Sequence, residues 1–97
     1  MGSIMKTEDD LKLDMVKTLS VFNYILDKGE KMSAGHYVYS GLQARHDHDG
    51  YTLTLFDSDV ELNLFFHNKY QANFDRRSQF DAFLHKIDRI YFKHQLN

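Results

Sequence analysis

The chain has 97 residues, a formal net charge of −2, 42% hydrophobic and 27% charged residues, and neither cysteine nor proline. This length and mix predict one folded domain over residues 1–97, and the missing cysteines exclude a disulfide scaffold, a cysteine zinc site, an iron–sulfur cluster and a thiol nucleophile. No apolar run approaches the roughly 18 residues of a membrane span and no signal-peptide core is present, so a cytoplasmic protein with no membrane partner is expected.

The charge is uneven along the chain. Residues 1–68 carry eleven acids against six bases, and residues 69–97 carry three against six. Eleven of the fourteen acids are Asp, a residue that favours turns and caps over helix interiors. A general nucleic-acid binder is basic over its domain, so direct binding of nucleic acid is not the expected activity.

In chain order, Thr7 followed by Glu8, Asp9 and Asp10 predicts the start of a helix. Leu11, Met15, Leu19, Phe22 and Leu26 recur at spacings of three and four, widened by Val16 and Ile25, and Gly29 predicts the stop. Three strands are expected next, over residues 36–45, 51–57 and 60–67. Asp49-Gly50 joins the first two as a hairpin turn, and Ser58-Asp59 joins the second pair. Alternation puts Val38, Leu42, Leu53, Leu55, Leu62 and Leu64 on one sheet face, and Tyr37, Tyr39, Phe56, Glu61, Asn63 and Phe65 on the other. A second helix is expected from Ser78, with Asp81 at a capping position and Phe80, Phe83, Leu84, Ile87, Ile90 and Tyr91 as its buried stripe. The fold class predicted is therefore α+β: a two-layer arrangement of a three-stranded antiparallel β-meander with helices before and after it, in the order α-β-β-β-α.

The densest polar cluster is the predicted tip at residues 45–50. His46, His48 and Asp49, joined by His67 from the end of the third strand, have the residue types of a divalent-metal or small-ligand site. A polar hairpin tip with no ligand is the commoner reading of such a cluster. No nucleophile-elbow motif surrounds a serine and no glycine-rich phosphate loop is present, so no catalytic residue is assigned, no enzyme activity is expected and no cofactor is implied. The face carrying Tyr37, Tyr39 and Phe65 mixes aromatic and polar residues as binding surfaces do, and would equally suit a homodimer. With the strip formed by Arg76, Arg77, Lys86, Arg89 and Lys93, it is also the surface a single-stranded nucleic acid would use. Asp47 and Asp49 lie at one predicted tip, and Asp57, Asp59 and Glu61 at the other, about 20 Å away for six extended residues. Carboxylates so spaced can imitate duplex phosphates.

The run GLQARHDHDGYTLTLFDSDVELNLFFHNKY, with the preceding VFNYILDKGEK, resembles an uncharacterised family of small bacterial proteins over about residues 16–84. Asp47, Gly50, Tyr51, Phe66, His67 and Asn68 fall in the signature of that resemblance, which implies no activity for them. In size and layout the chain is also similar to small phage-encoded anti-CRISPR proteins, some of which act as DNA mimics on the type I-F surveillance complex. That similarity implies a non-enzymatic inhibitor in a bacterial host cell, whose partner is a larger nucleic-acid-binding protein or ribonucleoprotein complex. Asp47, Asp49, Asp57, Asp59 and Glu61 would then meet its basic surface, with Tyr37, Tyr39 and Phe65 as apolar anchors.

Overall fold

The computed structural model describes residues 4–7, 13–46, 52–65 and 69–96. Its first helix, α1 (Met15–Lys28), begins at Asp14, whose side chain accepts from the Lys17 N–H at 3.0 Å. Thr7 does not start this helix: it ends a strand, β1 (Ile4–Thr7). The buried stripe of α1 is Thr18, Val21, Phe22 and Ile25, with Leu19 and Leu26 half-buried at its margins. Thr18 is tolerated inside because its hydroxyl donates to the Asp14 carbonyl at 2.8 Å. Gly29 ends the helix as expected, and the reason is space. A Cβ there would stand 2.5 Å from the Ile25 carbonyl oxygen and 2.9 Å from that of Val38.

Beyond α1 lies the short β2 (Glu30–Lys31), followed by β3 (Tyr37–Tyr39) and β4 (Leu42–His46). The single strand predicted over residues 36–45 is thus broken in two. Ser40 and Gly41 have φ of 51° and 84°, the two left-handed residues of a tight hairpin turn. Tyr39 then pairs directly with Leu42, and Tyr37 with Ala44, so both tyrosines share the face of Leu42 instead of opposing it. The next strands, β5 (Leu53–Phe56) and β6 (Glu61–Phe65), fall within their predicted segments. They are followed by β7 (Lys69–Phe74), where no strand was expected, although Tyr70, Ala72 and Phe74 alternate inward against Gln71 and Asn73. The last element is α2 (Arg77–Lys93). Its capping residue is Gln79, whose side-chain oxygen accepts from the Arg76 N–H at 2.9 Å, while Asp81 pairs with Arg77 one turn away at 3.2 Å.

The chain is α+β, but the expected three-stranded meander is overturned. The strands form one seven-stranded sheet in the order β1-β7-β6-β5-β4-β3-β2, every neighbouring pair antiparallel. β2 to β7 run as a continuous meander, and β1 closes onto the β7 edge with Ile4 opposite Phe74. The register Ala44–Leu55–Leu62–Ala72 aligns the inward residues across four strands. Both helices cover that face: Phe22 and Ile25 from α1, and Phe80, Phe83, Ile87 and Ile90 from α2, join the strand residues in one core. The helices run parallel, since Lys17 meets Asp88 at 2.7 Å and, further along both, Tyr24 meets His94 at 3.1 Å. Among the described residues no helix is long and apolar enough to cross a membrane.

Candidate interaction surface

With both helices on one face, the register defines what the other face presents. One row runs Val38–Gln43–Phe56–Glu61–Asn73, and the next runs Arg45–Thr54–Asn63–Gln71, in which Thr54 is buried beneath its neighbours. Phe65, opposite Lys69, lies beyond them and is 39% exposed. The polar groups interlock: the Thr54 hydroxyl donates to Asn63 Oδ1 at 2.8 Å, and the Arg45 guanidinium donates to Glu61 Oε2 at 3.1 Å. Arg45 also lies over the Phe56 ring at 4.9 Å, and the His36 ring approaches that phenylalanine from 5.7 Å. An arginine held between a carboxylate and an aromatic face is partly pre-ordered, which lowers the side-chain entropy lost on contact with a partner. At one end of the face a shallow depression of about 230 Å³ is lined by Phe56, Asp57, Ser58, Asp59, Val60, Glu61 and Asn73.

The residues singled out from sequence are distributed as follows. Phe65 stands on this open face. Glu61 stands there too, but its charge is matched by Arg45. Asp57 is not a free carboxylate. Its Oδ1 accepts from the Asp59 and Val60 N–H groups, both at 2.8 Å, and its Oδ2 accepts from Lys86 Nζ at 2.8 Å. The Asp57 side chain is only 5% exposed, so it builds the β5–β6 turn and ties it to α2. Asp59 sits on that turn and is exposed. Tyr37 and Tyr39 belong to the opposite, helix-covered face, because the Ser40–Gly41 turn reverses their side. Asp47, His48, Asp49 and His67 lie outside the described residues, as do Gly50, Tyr51, Phe66 and Asn68. Of the proposed metal quartet only His46 is described, exposed at the end of β4. Among the described residues no group of three His, Cys, Asp or Glu side chains is placed to hold a metal ion. Lys86 of the basic strip is bound to Asp57, while Arg89 and Lys93 are exposed.

One cluster had no counterpart in the sequence reading. His94, at the end of α2, places Nδ1 3.1 Å from the Tyr24 hydroxyl and Nε2 2.8 Å from the Tyr39 hydroxyl. A neutral imidazole offers one donor and one acceptor, so one phenol donates to the ring and the other accepts from it. The Tyr24 and His94 rings also stack at 4.5 Å. Burial pushes the Tyr24 phenol above its ordinary value, and the neighbouring Tyr39 hydroxyl adds to the rise. These are residues 70 and 55 positions apart in sequence, which is why no local pattern reveals them.

The meander edged by the first strand, with two parallel helices on one face and a polar–aromatic surface on the other, defines a two-layer α+β protein. The family described as protein of unknown function, DUF3081, matches residues 13–96, and the chain belongs to it. The match takes in both helices and β2 to β7, and β1 lies outside it. No curated protein and no solved structure matches the chain.

Proposed function

We propose that this chain is a non-enzymatic binding domain that presents the open face of its sheet to a larger protein. The observation that carries the reading is the asymmetry of the sheet: two helices bury one face, and the other carries exposed Phe65 and half-buried Phe56 and Val38 among amides and one internally matched Arg–Glu pair. Aromatics and arginine are the residue types that supply most binding energy where proteins meet, and a polar surround suits a surface that is also stable in water. The finer form of this reading is an inhibitor that fills a basic nucleic-acid groove, as anti-CRISPR DNA mimics do. It draws less support, because Asp57 is bound to Lys86 and Glu61 to Arg45. It has to rest on Asp59 together with Asp47 and Asp49. The reading of the sheet as a single-stranded nucleic-acid platform loses Tyr37 and Tyr39 to the helix-covered side.

The test is affinity capture from bacterial lysate at low and high salt, with wild type, Phe65→Asp and Asp59→Lys side by side and thermal unfolding recorded for each. A protein retained by wild type and Asp59→Lys but lost by Phe65→Asp, with its unfolding unchanged, is the expected result. Loss in Asp59→Lys and at high salt, with retention by Phe65→Asp, favours the acidic mimic instead. Retention by all three, or by none, overturns both forms.

A further inference from the structure

We draw no further inference here: the strongest candidate, the depression beside the β5–β6 turn where Asp59 and Glu61 stand near the unpartnered Asn73 Oδ1, is an acidic cluster whose orphaned oxygen has almost no accessible surface of its own, so nothing in the structure points to a ligand there.

Discussion

Asp57 ties two separate elements together, the β5–β6 turn and α2. Its two carboxylate oxygens join the β5–β6 turn to the long side chain of Lys86. Asp57→Ala leaves two turn N–H groups and the ammonium of the half-buried Lys86 side chain without their acceptor, for an expected loss of about 2–3 kcal/mol in urea unfolding. Asp57→Asn keeps an oxygen for the turn and loses only the ion pair, so about half that loss is expected. An Asp57 that served only as a contact residue would show less than about 0.5 kcal/mol in either variant. Gly29 offers a second test. Because an added Cβ would press on two backbone carbonyls, one of them on a neighbouring strand, Gly29→Ala should cost at least about 2 kcal/mol by the same measurement. Gly35 has a φ of 96° but open space around it, so Gly35→Ala should cost only about 1 kcal/mol, the strain of the backbone alone. The stop at Gly29 was read from residue type, whereas Asp57 was read as a partner contact beside a turn at Ser58-Asp59 and instead builds that turn. The partners Lys86 and Val38 were not legible, because they are supplied by elements far along the chain.

The helices were legible where their periodicity was long and their ends were marked. The buried positions of α2 follow its stripe closely. For α1 two positions differed: Val16, expected in the buried stripe, is 68% exposed, and Thr18, a polar residue, enters the core by satisfying itself on Asp14. The strands were harder. Nothing in the apolar alternation of residues 36–45 marks a reversal, since Tyr, Val and Leu are all good strand residues. The break comes from Ser40 and Gly41 alone, and it moves two tyrosines from one face of the sheet to the other. That reversal has a further result: Tyr39 reaches His94 and helps anchor the end of α2. His94→Ala leaves both phenols to find new partners and removes a stacked ring, so a loss of about 1–2 kcal/mol is expected. Amide hydrogen exchange should quicken selectively over residues 90–96. If exchange instead quickens evenly over the whole chain, the cluster is not a local anchor.

Across the fold as a unit, the paired charges and phenols set how stability depends on pH. The hydrogen bond from Lys17 to Asp88 raises the lysine above its ordinary value, against a smaller opposing effect of burial. Tyr24 is raised as well, by burial first. A group raised on folding gives its full stabilisation below its unfolded pKa, about 10 for both types, and loses it as pH climbs through the folded value. Urea midpoints should therefore be flat from neutral pH to about 10 and fall above it, in the range set by these two groups. The Lys17→Met, Tyr24→Phe double variant should fall less steeply over that range, and an equal slope would remove both groups from the explanation. The candidate surface was half legible. Phe56, Glu61 and Phe65 were placed together from alternation, whereas the β4–β5 register sets Arg45 beside them and the amides of β7 joined them only with that unexpected strand. The number of strands rests on β1, β2, β7 and the split of one predicted strand into β3 and β4, and the pairing of β1 with β7 has a consequence for how the chain is made. Ile4 cannot meet Phe74 until residue 74 has left the ribosome, several seconds after residue 4 at about 5–20 residues per second. Over that interval the first strand of the sheet is a nascent segment without its neighbour, and all of β2 to β6 is synthesised before the strand it pairs with.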